Sequence, residues 1–275
     1  MDFINLVVKE ALRRGYSLKT IQTYVQCLKQ FFRICLKDPK SVTKNDIKSY
    51  IDRLVERGAP GNTINVHLNA IKFLMEEILS KKVLLKTKYS KIPKRLPTVL
   101  TKEEVQKLIH ATENQKHSLI LKLMYSSGLR LSELVHLKKE DLELERGLGW
   151  VRNGKGGKDR LFIIAEKLKK ELEQHITTNC HSQDSWLFIG CKERHLSQKS
   201  VQEIVKKSAK KAGISKNVHP HTLRHSFATH LIEDGYDLAQ VQFLLGHNSA
   251  QTTMIYVHMG SPKMINVRSP LDSLQ

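Results

Sequence analysis

The sequence predicts a mainly α-helical chain with one small β-sheet, divided into two domains, and three observations predict it. Apolar residues recur at helical spacing over most of the length. A Lys- and Pro-rich stretch near residue 90 suits neither a helix nor a buried strand and interrupts that periodicity. Beyond it, two short β-type runs flank a glycine-rich turn. With 275 residues and 40% hydrophobic content, the chain can bury one large core or two modest ones.

The helical reading starts behind Ser17, a candidate N-cap, with Leu18, Ile21, Tyr24, Val25, Leu28, Phe31 and Phe32 on one face. Thr43, with Asp46 three residues on, opens a second helix (Ile47, Ile51, Leu54, Val55) that Gly58 stops. Asn62 precedes a third, carrying Ile64, Leu68, Ile71, Met75 and Ile78. These three helices fill a first domain over residues 1–85. From Lys81 to Pro97 the chain has Lys at 81, 82, 86, 88, 91 and 94, Arg95, and Pro at 93 and 97. A basic interdomain linker is therefore placed at 86–98, and a second domain at 99–275.

In that second domain Thr101 and Glu104 form a capping box for a helix ending near His110, and an apolar helix from Ser118 to Ser127 is closed by Gly128. Trp150-Val151-Arg152 and Arg160-Leu161-Phe162-Ile163-Ile164 read as strands joined by Asn153-Gly154-Lys155-Gly156-Gly157-Lys158, with Lys155 near the tip of the turn. Helical pattern then returns over Leu168–Ile176, Ser200–Ala212, His221–Glu233, Leu238–Leu245 and Ser249–His258, with Gly213, Gly235 and Gly246 as stops. No internal repeat is evident.

Charge narrows the partners. Lys and Arg number 46 against 27 Asp and Glu, a net charge of +19, which is the footprint of a protein that binds a polyphosphate. No apolar stretch reaches the length of a membrane span, and the opening residues lack the pattern of a signal peptide, so an intracellular protein is expected. Four cysteines (Cys27, Cys35, Cys180, Cys191) with no Cys-x-x-Cys pair fit neither a disulfide framework nor a zinc ribbon and read as reduced packing residues.

The informative letters lie in three places: Ser127-Gly128-Leu129-Arg130-Leu131-Ser132-Glu133-Leu134; His219-Pro220-His221-Thr222-Leu223-Arg224-His225-Ser226-Phe227-Ala228-Thr229-His230; and Leu244-Leu245-Gly246-His247 running on to Thr252-Thr253-Met254-Ile255-Tyr256. From Thr101 to about His258 the chain resembles the catalytic domain of the tyrosine recombinases, the phage-integrase family, and within it the Xer-like members. The first domain is similar to that family's helical, SAM-like core-binding domain. The resemblance implies a two-domain tyrosine recombinase fold, a helical core-binding domain followed by a mixed α/β catalytic domain.

The chemistry of such an enzyme suits these residue types. Exchanging one phosphodiester for another needs a nucleophile that stores the bond, donors for charge on the non-bridging oxygens, and an acid for the leaving alkoxide. Arg130 and Arg224 offer planar forks matched to phosphate oxygens and stay charged at any working pH, doing the work metal ions do elsewhere, so neither metal nor cofactor is expected. His221 lies one helical turn before Arg224 and can reach the same phosphate. Lys155, on its glycine-rich turn, can protonate the departing 5′ oxygen, and by resemblance it is the general acid. His247, at a helix end after Gly246, fits the family's second histidine. Tyr256, nine residues on, fits its nucleophile; among seven tyrosines its place in the motif alone singles it out.

Other chemistry fits less well. Gly149 to Lys155 spells a near miss for a phosphate-binding loop, but Gly156 stands where Ser or Thr should hold magnesium. His221 and His225, four apart, suit one zinc face, but no metalloprotease Glu follows and no third ligand is apparent. The acidic residues are scattered, unlike those of metal-dependent nucleases, and Glu133 reads as a structural partner of Arg130.

The resemblance further implies DNA cleavage and strand exchange through a 3′-phosphotyrosyl intermediate without ATP, by chemistry like that of type IB topoisomerases. It implies a tetramer on two double-stranded sites with inverted-repeat cores, in the cytoplasm and on the nucleoid. The lack of a phage-type arm-binding domain favours Xer-like resolution of chromosome or plasmid dimers over phage or mobile-element integration. A tail from Ser261 to Gln275 would dock on a neighbouring subunit, although Asn266 to Asp272 does not read as the longer terminal helix of many relatives. A non-catalytic DNA-binding protein of the same fold is the alternative of another class, and the intact constellation argues against it.

Overall fold

The computed structural model describes residues 3–81, 90–91, 96–154, 157, 159–179, 186–190 and 194–246. The chain divides into two compact units, residues 1–95 and 96–275, each with its own hydrophobic core. Most of the expected 86–98 linker lies outside the described residues, as do Cys180, Cys191 and the tail.

The first unit is a bundle of four helices: α1 (Phe3–Arg13), α2 (Leu18–Cys35), α3 (Lys44–Glu56) and α4 (Gly61–Lys72), the last running on into a π-helical turn over Phe73–Ile78. Ser17 caps α2, its Oγ accepting from the Thr20 amide, and Thr43 with Asp46 closes a reciprocal capping box on α3. The third helix starts earlier than Asn62 suggests, at Gly61 behind Pro60. α1 was not expected as a separate helix; it turns Val7 and Ala11 inward onto the core built from Leu28, Phe31, Ile47, Ile71, Leu74 and Met75. Cys27 is a buried member of that core, and neither it nor Cys35 forms a disulfide.

The second unit opens with α5 (Lys102–His110) behind the expected Thr101–Glu104 capping box, and continues into α6 (Gln115–Ser127), which Gly128 closes at φ +57°. A short α7 (Leu131–Val135) leads into a three-stranded antiparallel sheet, β1 (Leu142–Glu143), β2 (Leu148–Val151) and β3 (Arg160–Ile163), paired in that order. The two expected strands are β2 and β3; β1 is an addition of only two residues. Helices α8 (Glu166–Asn179), α9 (Gln198–Lys211), α10 (Pro220–Glu233) and α11 (Leu238–Leu245) follow. The architecture is thus mainly helical with one small sheet, as the sequence predicts. Among the described residues no helix is long and apolar enough to cross a membrane.

Helix α10 lies at the centre of this unit. Pro220, Thr222, Leu223, Arg224 and every residue from Ser226 to His230 are buried, a nearly all-round burial that an amphipathic surface helix would not show. It packs along α6 and against α11, where Phe227, Ala228, Val241 and Leu245 form a small core of their own. The Ser226 hydroxyl accepts from the Leu100 amide at 2.9 Å, which pins the start of the unit to this central helix.

Gly149 sits in β2 with the Phe162 ring packed where a side chain would stand. Its role is cross-strand packing, which accounts for the glycine without any phosphate-binding loop.

Candidate active site

Two helix ends and one strand assemble the site. α6 stops at Gly128 because the left-handed conformation there suits glycine, and because the Phe227 ring occupies the space of a β-carbon. The chain then turns so that Arg130 becomes the N-cap of α7. The Glu133 carboxylate, at the third position of that helix, reaches back to accept from the Arg130 amide at 2.8 Å, and through Oε1 it also holds the Arg130 Nη1 at 2.6 Å. Arg130 is thus a helix-entry residue whose side chain is fixed by the carboxylate of its own helix.

Arg224, on the second turn of α10, is 3% exposed. Its Nη1 donates to the Gly128 carbonyl at 2.5 Å and its Nη2 to the Leu245 carbonyl at 2.6 Å, so it joins the C-terminal ends of α6 and α11. Helix C-termini present unpaired carbonyls and the negative end of the peptide dipole, which suits a cation. Arg130 Nη2 donates to the next carbonyl, that of Gly246, at 3.1 Å. Both predicted arginines therefore converge on the end of α11 and on Glu133, whose Oε2 lies 4.0 Å from the Arg224 Nη1.

A third arginine completes the cluster. Arg160, at the start of β3, places Nη2 2.6 Å from Glu133 Oε2 and donates from Nη1 to the Leu244 carbonyl at 2.5 Å. In the sequence Arg160 reads only as the first residue of a strand. Strand alternation puts Arg160 on the same face as the fully buried Phe162, but nothing local in the sequence names the groups that hold it. Burial pushes the Glu133 carboxyl up, but hydrogen bonds and charge from Arg160 and Arg130 outweigh it and hold the group below the usual carboxylate range.

His221 stands exposed on the first turn of α10, which His219 caps by accepting the Thr222 amide at Nδ1, 3.3 Å away. Partial desolvation, followed by the nearby His219, Arg224 and Arg130 charges, lowers its pKa. His225, half-buried one turn on with its ring centroid 6.3 Å from that of His221, is driven down to about 4 by burial and by His221, His219 and Arg224. A neutral imidazole at position 221 can relay a proton or donate one hydrogen bond. The structure brings Arg130, His221 and Arg224 together; Lys155, His247 and Tyr256 lie outside the described residues.

The comparisons with known proteins agree with this frame. Residues 98–261 match the model of the phage integrase family, and residues 3–84 match that of its N-terminal SAM-like domain. The tyrosine recombinase XerA of Pyrococcus horikoshii is 40% identical over 247 residues, covering 88% of this chain and 84% of the relative. The tyrosine recombinase XerC of Thermodesulfovibrio yellowstonii is 34% identical over 284 residues, covering 97% and 93%. Among solved structures, the XerH site-specific recombinase in a post-cleavage complex with a palindromic difH substrate superposes with a TM-score of 0.75 at 25% identity, covering 91% of this chain and 79% of that one.

The family matches over both units place the chain in the phage integrase family, and its likeness to tyrosine recombinases makes it a DNA strand-exchange enzyme. Within that family it is a site-specific tyrosine recombinase, and DNA is its partner.

Proposed function

We propose that the chain is an Xer-like recombinase that resolves chromosome or plasmid dimers, working in the cytoplasm on the nucleoid as a tetramer that joins two inverted-repeat core sites. Residues 1–85 act as the core-binding domain, 86–98 as the basic linker and 99–275 as the catalytic domain. Similarity to XerA and XerC over most of the chain supports the Xer-like role. The observation that carries the chemistry is the convergence of Arg130 and Arg224 on one carboxylate and one helix end.

In this reading the Tyr256 hydroxyl attacks the scissile phosphorus. A Tyr–O–P bond forms, the P–O5′ bond breaks, and Lys155 delivers the proton to the departing 5′ oxygen. The product is a 3′-phosphotyrosyl link with a free 5′ hydroxyl, the same bond-storing device that type IB topoisomerases use. A 5′ hydroxyl from the partner site reverses the step and completes strand exchange. Arg130 and Arg224 neutralise the non-bridging oxygens, so the electrostatic stabilisation resides in guanidiniums already fixed before DNA arrives. His221 and His247 donate to those oxygens or relay the tyrosine proton. The bond energy is conserved throughout, and no nucleotide is consumed.

Footprinting across the chromosome identifies the core site, and a nicked duplex built on it then traps the covalent adduct. The wild-type chain should form that adduct, whereas Tyr256→Phe should bind the duplex equally and form none. An adduct surviving in Tyr256→Phe would remove the tyrosine from its role. Relaxation of supercoils with no exchange between two sites would replace recombination by a topoisomerase reaction.

A further inference from the structure

The last three carbonyls at the end of α11 are each taken by a different arginine: Leu244 by Arg160, Leu245 by Arg224 and Gly246 by Arg130. Two of these arginines have a role in the chemistry proposed above. The third, Arg160, has none, yet its side chain is only 9% exposed. A guanidinium is withdrawn from water at considerable cost, and a buried one is retained where its partners are charged or fixed.

Besides the carbonyl of its strand neighbour Leu161, at 3.4 Å, Arg160 donates to two groups that orient others. Glu133, 4% exposed, is the carboxylate that holds Arg130. The Leu244 carbonyl is the neighbour of the one that holds Arg224. The Arg160 stem also lies against the α11 cap, where a β-carbon on Gly246 would come within 2.5 Å of its Cδ. Strand, carboxylate and helix end therefore meet at one side chain.

We propose that Arg160 is a positioning residue that sets the two phosphate-binding guanidiniums, bracing Arg130 through Glu133 and Arg224 through the end of α11. The proposal rests on the reading of Arg130 and Arg224 as the phosphate ligands. Without Arg160, the Glu133 carboxylate keeps Arg130 as its closest charged partner and is drawn toward it, while the α11 terminus loses one of its three cationic caps. Arg130 and Arg224 remain in the protein but lose their mutual registration.

The test uses full-length protein and the nicked duplex described above, made with either a phosphodiester or a methylphosphonate at the scissile position. The methylphosphonate carries no charge and asks less of the guanidiniums. Arg160→Met keeps the stem and drops the charge; Arg160→Lys keeps the charge and can reach one partner but not both. The rate of adduct formation at saturating protein is measured beside DNA affinity and the thermal unfolding curve.

The expected result for Arg160→Met is a loss of about 100-fold in adduct rate on the phosphodiester, the scale of an ångström-sized misplacement. Affinity should stay within about 3-fold of wild type, with Arg160→Lys intermediate in rate. On the methylphosphonate the loss should shrink to about 10-fold or less, because less depends on the arginine pair. Equal losses on both duplexes would mean a general loosening of the fold, and unchanged rates would mean a passive residue; either overturns the proposal. If Arg160→Met does not fold, the two-substrate comparison on Arg160→Lys decides the matter alone. A wild-type chain that forms no adduct on the phosphodiester overturns the functional reading, and this inference with it; a wild-type adduct with indifferent Arg160 variants overturns the inference only.

Discussion

Replacing the Glu133 carboxylate by the Gln amide hardly changes its shape and should still cost as much as a core truncation. The carboxylate is 4% exposed, and its two oxygens accept from Arg130 Nη1 at 2.6 Å, the Arg130 amide at 2.8 Å and Arg160 Nη2 at 2.6 Å. Glutamine keeps one acceptor oxygen and turns an NH2 group toward a guanidinium, donor against donor. Arg160 and Arg130 then share a buried space with no counter-charge, the situation in which breaking a buried pair costs about 3–5 kcal/mol. For a unit of this size about 1 kcal/mol corresponds to about 2–4 °C, so the melting temperature of the second unit should fall by roughly 6–20 °C. The first unit has its own core and should melt as in wild type. Differential scanning calorimetry of wild type and Glu133→Gln resolves the two transitions. A second-unit transition that moves by less than about 2 °C would refute the idea that this carboxylate compensates the arginine cluster.

Two further outcomes follow from single contacts. Gly128→Ala forces a side chain into the left-handed region at φ +57° and against the Phe227 ring, so strain and overpacking together should destabilise the second unit by about 2–4 kcal/mol in urea unfolding; near-wild-type stability would show that α6 can end another way. His225 is held down to about 4 in the folded chain against 6.5 unfolded, so the unfolded state takes up its proton first as pH falls. Its contribution is complete above about 6.5 and is lost as pH drops toward 4, on the order of 1–3 kcal/mol, and His225→Phe should flatten the decline in urea midpoint between those values. Parallel pH profiles for the two proteins would place the acid sensitivity elsewhere, for instance at His221 or His230, both also lowered by burial.

The elements that could be read from sequence are those whose signals are local. Thr43–Asp46 and Thr101–Glu104 each close a capping box between residues three apart, so the letters alone locate those helix starts. Gly58, Gly128, Gly213, Gly235 and Gly246 all adopt positive φ at the helix stops the sequence predicts, again a property of one residue and its neighbours. Arg130, His221 and Arg224 stand out as candidates because two dissimilar segments carry them, one just behind the end of α6 and one at the start of α10. α1 escaped notice because only Val7 and Ala11 are fully buried on it, too few for a clear stripe. β1 escaped because two residues make no pattern, and it exists only by pairing with β2. Arg160 was passed over for a related reason: its meaning comes from Leu244, 84 residues away, and from Glu133, 27 residues away, relations that no window on the sequence contains.

The use of backbone carbonyls to hold the arginines bears on how the site withstands its surroundings. A carboxylate anchor is lost when it is protonated, and an exposed ion pair weakens as salt accumulates around it. The carbonyls of Gly128, Leu244, Leu245 and Gly246 do neither: they carry no titratable proton, and they belong to helix ends packed into the unit's interior. Salt strong enough to strip a basic protein from DNA should therefore leave the guanidiniums where they were. The three arginines should then need no resetting when the DNA binds again.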